Sequence, residues 1–269
     1  MADYDITQLK FLEHDTDEGD WNSLVMIDST HFILAYAGGD NDGFIKTFSI
    51  NSSYEITEID SLEHDTSYGS YNSLVMIDST HFILAYSGSG YDGYIKTFSI
   101  DGNYDNITEI DVLEHDTDEG KHNSLVMIDS THFILAYRGD DSDGYIKTFS
   151  INSSYEITQI DSLEHDTSEE TYNSLVKIDD THFILAYAGY GDDGFIKTFS
   201  INSSYEITQI DSLEHDTDEG VHNSLVMIDS THYILAYAAG NGTDGYIKTF
   251  FVDVPSIIYH NLRRKLLIR

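Results

Sequence analysis

Hydrophobic and polar positions along this chain fall into short runs with strand spacing. NSLVMID, from Asn22 to Asp28, leads into a Ser29–Thr30 turn and then HFILAY, His31 to Tyr36, an almost unbroken apolar run of the kind covered on both faces. After a loop, Asp42 and Gly43 give the signal of a two-residue type I′ hairpin, which needs positive φ. FIKTFSI then alternates Phe44, Lys46 and Phe48 against Ile45, Thr47 and Ser49, and YEITEI, from Tyr54, is the most polar stretch. The pattern predicts four antiparallel strands, with the polar fourth at an outer rim. A helical period is not sustained anywhere before the C-terminal tail.

The same sentence is written five times, restarting at Leu12, Leu62, Leu113, Leu163 and Leu213, at intervals of 50, 51, 50 and 50 residues. A fixed period of this length marks a propeller or solenoid, in which each unit needs neighbours to bury its apolar faces. Four strands per copy suit a propeller blade better than a solenoid coil of about 20–30 residues. The two ends complement each other. YDITQLKFLEHD, Tyr4 to Asp15, matches the fourth-strand segment YEITQIDSLEHD of Tyr205 to Asp216, while the last copy leaves the pattern at Phe251 after three strands. The expected fold is all-β: a closed five-bladed β-propeller of four-stranded antiparallel blades over residues 1–252, with the N-terminal strand completing the last blade. Residues 253–269 form an off-repeat basic tail.

Composition narrows the function classes. The net charge is −35, and −39 once the four basic residues of the last seven positions (Arg263, Arg264, Lys265, Arg269) are set aside. Such a field repels phosphate backbones, so nucleic acid is not an expected partner. No apolar run is long enough to span a membrane, and a monomeric ring is expected. There is no cysteine, which removes disulfides, thiolate catalysis and cysteine zinc sites and leaves the compartment unread. The N-terminus shows no charged segment followed by an apolar stretch, so no secretory signal is visible.

DGYIKTFSI, Asp92 to Ile100, resembles the third strand of WD40-repeat propellers, where D-G-x-I-K-x-W-x-I is usual, with Phe98 in place of Trp and Ser99 in place of Asp. Glu63-His64-Asp65-Thr66 is similarly placed to the Gly-His of that family. The resemblance covers two short patches per blade and implies a structural hydrogen-bond network that includes His64 and Asp92.

The copies differ in two loops: DEGDW, SYGSY, DEGKH, SEETY and DEGVH before the first strand, and AGGDN, SGSGY, RGDDS, AGYGD and AAGNGT before Asp-Gly. In a four-stranded blade both emerge on one face, an arrangement suited to binding. The position before Asn-Ser always carries a ring: Trp21, Tyr71, His122, Tyr172 and His222. Together with Tyr91, Arg138 and Tyr190 of the second loop, these are the candidate ligand-binding residues. Rings so placed either stack on a sugar or partner, or pack the channel mouth. In symmetry the chain is similar to five-bladed propeller lectins.

Each Glu-His-Asp triplet (His14, His64, His115, His165, His215) reads as a structural histidine, because neighbours on a strand point to opposite faces. No metal site is expected. The Asp-rich loops leave weak calcium binding as the one cofactor expectation. Fivefold repetition supplies the same groups everywhere, whereas catalysis needs different groups in different roles. The sequence therefore predicts a non-enzymatic, multivalent, lectin-like binding module for a glycan or protein, with an interaction scaffold of amplified or designed repeats as the alternative.

Overall fold

A computed structural model of the chain describes residues 6–240 and 244–253. Five antiparallel sheets follow one another along it. The first holds β1 (Asp20–Met26), β2 (His31–Ala37), β3 (Gly43–Ile50) and β4 (Ile56–Asp65), hydrogen-bonded in that order. The second holds β5 (Ser70–Met76), β6 (His81–Ser87), β7 (Gly93–Ile100) and β8 (Ile107–Asp116). The third holds β9 (Lys121–Met127), β10 (His132–Arg138), β11 (Gly144–Ile151) and β12 (Ile157–Asp166). The fourth holds β13 (Thr171–Lys177), β14 (His182–Ala188), β15 (Gly194–Ile201) and β16 (Ile207–Asp216). The fifth has three strands, β17 (Val221–Met227), β18 (His232–Ala239) and β19 (Asp244–Phe251). This is the five-bladed propeller that the repeat predicts. The basic tail lies outside the described residues.

The unbroken apolar run of each second strand has a direct reason. Side chains alternate across a strand, and here both faces meet another blade. Phe133, Leu135 and Tyr137 of β10 pack back on Ile83, Ala85 and Ile95 of the second blade. Ile134 and Ala136 face forward, onto Leu175, Phe183, Leu185 and Tyr187 of the fourth. The bulkier set thus points one way and the slimmer set the other, so successive blades interlock.

Hydrogen bonds join the blades at three radii. Near the axis, the amide of Leu74 donates to Ser23 Oγ at 2.9 Å, and Leu125, Leu175 and Leu225 repeat the bond on Ser73, Ser124 and Ser174. In the middle, Tyr86 donates its hydroxyl to Asp65 across the seam at 2.9 Å, while Lys96 Nζ donates to the His64 carbonyl at 2.6 Å. On the face opposite the variable loops, Tyr104 stacks on His31 with centroids 3.9 Å apart and donates to Asp28 Oδ2 at 3.0 Å. Tyr155 on His81 and Tyr205 on His132 repeat this staple at 3.6 Å.

Several local expectations change. The first strand begins two residues early, at Asp20, and the fourth runs on to Asp65, so the Glu-His-Asp triplet is the end of that strand. Asp42-Gly43 is not a type I′ turn: Asp42 is extended at φ −62° and ψ 145°, and the tight turn is the 3-10 segment Gly39–Asn41 before it. Gly43 is required by close approach instead, since a Cβ there would lie 2.5 Å from His64 Cε1. Asp92 is likewise extended. His64 is buried edge-on against Tyr86 at 4.7 Å, so the side-chain hydrogen bond of the seam is Tyr86 to Asp65 rather than a His64–Asp92 pair.

Candidate functional site

The two variable loops share one face and are tied together there. The amide of Gly69 donates to the Asn41 carbonyl at 2.8 Å, and Gly120, Glu170 and Gly220 bond in the same way to Tyr91, Ser142 and Asp192. This fixes the rim around the axial mouth.

The mouth itself depends on a backbone irregularity. Between β1 and β2 the register shifts from Asp20 to Ser23, and equivalent shifts recur in the other four sheets. At each bulge the ring residue takes a left-handed conformation: φ is 49° at Trp21, 53° at Tyr71, 52° at His122, 57° at Tyr172 and 55° at His222. This conformation costs about 1–2 kcal/mol for a residue with a Cβ, and the bulge re-aims the side chain. The result is a chain of touching rings, with centroid separations of 5.3 Å (Trp21–Tyr71), 4.6 Å (Tyr71–His122), 5.0 Å (His122–Tyr172) and 4.2 Å (Tyr172–His222). These five rings and the asparagines that follow them line an axial cavity of about 360 Å³. Asparagines brace four of the five bulges: Asn72 Nδ2 donates to the Gly69 carbonyl at 2.8 Å and to the Trp21 carbonyl of the preceding blade at 3.3 Å, and Asn22, Asn123 and Asn223 bond to Gly19, Gly120 and Gly220, whereas the buried Asn173 amide, beside Glu170, makes no such bond.

The fivefold pattern is broken in electrostatics. His122 is held down to about 4, first by burial and then by the positive charges of Arg138 and Lys121, so its imidazole is neutral at pH 7. Burial raises the Tyr71 phenol, which stays protonated. Arg138 donates through Nε to Glu119 Oε2 at 3.1 Å, and Lys121 donates to the other oxygen of that carboxylate at 2.5 Å. Lys121 Nζ also sits 3.7 Å from the centroid of the Tyr91 ring, and Tyr68 meets Tyr91 edge-on at 5.2 Å. Seven of the eight candidate residues therefore gather at the mouth and its adjoining rim. Tyr190 is on the loop face too, in the Tyr190–Asp192 turn of the fourth blade, but points to solvent, 74% exposed. Sequence reading missed the asparagine braces and Lys121, although the Asn recurs in every copy and Lys121 is the single basic residue in its loop set.

No family model matches the chain, and no curated protein matches it in sequence. Solved structures share its fold. A putative 6-phosphogluconolactonase from Bacteroides fragilis superposes with a TM-score of 0.66 at 13% identity, covering 87% of this chain and 67% of that one. Sqt1 from Saccharomyces cerevisiae gives 0.59 at 12% identity, covering 90% and 65%. A hypothetical selenium-binding protein from Sulfolobus tokodaii gives 0.55 at 11% identity, covering 75% and 57%. The chain spans about two thirds of the length of the first two and less of the third.

These likenesses correct the expected function. With a putative lactonase among chains of this fold, the expectations of no enzymatic activity and of a purely binding or scaffolding module do not stand. Fivefold repetition does not make the five positions at the mouth chemically identical. The blades are alike in their strands, but loop substitutions make His122, with Arg138 and Lys121 beside it, chemically unlike its counterparts. Among the described residues no helix is long and apolar enough to cross a membrane.

Proposed function

We propose that the axial mouth is the active site of a hydrolase that opens a sugar lactone or a similar small cyclic ester. The observation that carries this reading is the ring of strained bulges that holds five rings over the cavity, one of them a neutral imidazole. Local strain that survives in every copy points to a functional demand on those side chains. The putative 6-phosphogluconolactonase of the same fold supports the choice of reaction, and the cavity suits one small sugar.

In this reading Trp21, Tyr71 and Tyr172 supply faces for the sugar ring. Neutral His122 accepts a proton from water as its oxygen attacks the lactone carbonyl carbon. The protonated imidazole then returns that proton to the ring oxygen as the acyl carbon–oxygen bond breaks, giving a hydroxy acid. The Tyr71 hydroxyl is the donor available to the oxyanion of the tetrahedral intermediate. The test is hydrolysis of glucono-δ-lactone followed by pH-stat against the spontaneous rate. Acceleration that falls by about 10²–10⁴ in His122→Asn supports the proposal; no acceleration over the blank, or an unchanged rate in the variant, overturns it.

We also infer that the ring closes in cis through residues 6–15, which completes the mouth by bringing Trp21 to His222. Glu13 to Asp15 are already seated as in the other blades: Tyr36 donates to Asp15 at 2.8 Å and Lys46 to the His14 carbonyl at 2.6 Å. Ahead of them Ile6 and Phe11 are 100% and 84% exposed, and Ile247 on β19 is 75% exposed. Tyr54 and His232, whose counterparts staple the other seams, remain apart and open to solvent. An apolar groove lined by Ile184, Ile196, Leu213 and Phe250 runs beside β19. By the register of β15 with β16, Glu13 comes opposite Tyr246. In this cysteine-free chain, Glu13→Cys with Tyr246→Cys should form a disulfide within one chain; a dimer band or free thiols would refute cis closure.

A further inference from the structure

Only two basic residues occur in the ten variable loops, Lys121 and Arg138, and the fold brings them together. The positions equivalent to Lys121 hold Asp20, Ser70, Thr171 and Val221, and those equivalent to Arg138 hold Ala37, Ser87, Ala188 and Ala238. The third-strand lysines are spoken for, each donating to a histidine carbonyl inside a seam. Lys121 and Arg138 instead stand on the loop face, sharing the single carboxylate of Glu119. Two cations thus converge on one carboxylate, in a protein whose net charge is −35.

The pair is also held in place. Arg138 Nη2 donates to Ser142 Oγ while its Nε is fixed on Glu119, so the guanidinium is oriented before any ligand arrives. Lys121 lies over the face of Tyr91, which orients its ammonium in the same way. Side-chain exposures of 17% and 20% make both partly desolvated, a setting in which charge-assisted bonds to oxyanions are strong. Arg138 is close enough to the mouth that its charge acts on both Tyr71 and His122.

We propose that Arg138 and Lys121 form an oxyanion-binding subsite on the rim, which selects small polyhydroxy molecules bearing a carboxylate or phosphate group. The subsite rests on the reading of the mouth as the place where a sugar-like molecule is bound. A sugar ring stacked on Tyr71 and His122 directs its acidic substituent to the rim of the third blade. The other four blades lack the pair, so one orientation of the ligand in the mouth is chosen from five otherwise equivalent ones.

Calorimetric titration with gluconate, 6-phosphogluconate and neutral sorbitol tests binding without turnover. The two acids should bind at least about tenfold more tightly than sorbitol, with affinity falling as salt is raised. Lys121→Thr with Arg138→Ala, residues that other blades carry at these positions, should remove that preference and leave sorbitol binding in place. Equal binding of acid and polyol, no binding at all, or unchanged acid binding in the double variant overturns the subsite. Acid binding without lactone turnover keeps the subsite and removes the hydrolase. Turnover of neutral and acidic lactones alike keeps the hydrolase and removes the subsite.

Discussion

Glu170 occupies a glycine's seat, and replacing it by glycine should stabilise the protein. The equivalent residues are Gly19, Gly69, Gly120 and Gly220. Three of these, Gly69, Gly120 and Gly220, lie so close to the following-strand glycine of the neighbouring loop that a Cβ would fall 2.2 Å, 2.1 Å and 2.3 Å from a Cα. Glu170 instead buries its carboxyl completely, 3.0 Å from His165 Nε2, both side chains fully excluded from water. Removing one member of a buried pair normally costs about 3–5 kcal/mol because a charge is orphaned. In two blades that carry glycine at this position, burial keeps His64 and His115 neutral, and Glu170→Gly restores that arrangement in the fourth seam. What is recovered is the desolvation of a carboxyl group whose buried oxygens have no hydrogen-bond partner, about 1–3 kcal/mol. Against it stands about 0.5–1 kcal/mol for the backbone freedom of glycine. The net expectation is a gain of about 0.5–2 kcal/mol, which at this size raises the Tm by about 2–4 °C per kcal/mol. Urea melts and calorimetry of Glu170→Gly measure it, with Glu170→Gln separating charge from volume. A lower Tm for Glu170→Gly would refute the reasoning and make the pair a stabilising one.

Acid should weaken the fold from about pH 6.5 downward. Burial lowers His64 to about 3, and His122 and His215 to about 4, so between pH 6.5 and 4 the unfolded chain takes up protons that the folded one refuses. For His122 alone this is about 3 kcal/mol, and stability flat from pH 7 to 4 in denaturant melts would contradict it. The same lowered pKa places the acid limb of lactone kcat/KM near pH 4 rather than near 6.5. Phe98→Ala removes a fully buried ring stacked 5.0 Å from Phe82 and should cost about 3–5 kcal/mol in a chemical melt; a loss below about 1 kcal/mol would show that the seam recloses. Gly43→Ala should lower the Tm, because the added methyl meets His64 Cε1 at 2.5 Å and Gly69 Cα at 3.2 Å.

The repeat, the number of blades, the four strands per copy and the shared face of the variable loops can all be read from the chain. They rest on period-two alternation, on turn residues and on self-comparison, all of which are local or internal to the sequence. HFILAY, for instance, announces a strand buried on both faces before any neighbour is known, and the ring position is found by aligning the copies. Tertiary structure decides what local signals do not encode. The positive φ at Trp21 and its counterparts comes from a register shift that matches the first strand to the second, and aromatic side chains carry no propensity for it. Glycine at position 43 reads as a turn but serves a close approach between blades, which depends on a residue outside its own hairpin. Lys121 and Arg138 stand 17 residues apart in sequence and meet only because two loops of one blade rise on the same rim. The chemistry of the mouth is therefore set by where strands end and loops converge, and by burial, which turns a repeated ring position into a neutral imidazole beside two cations.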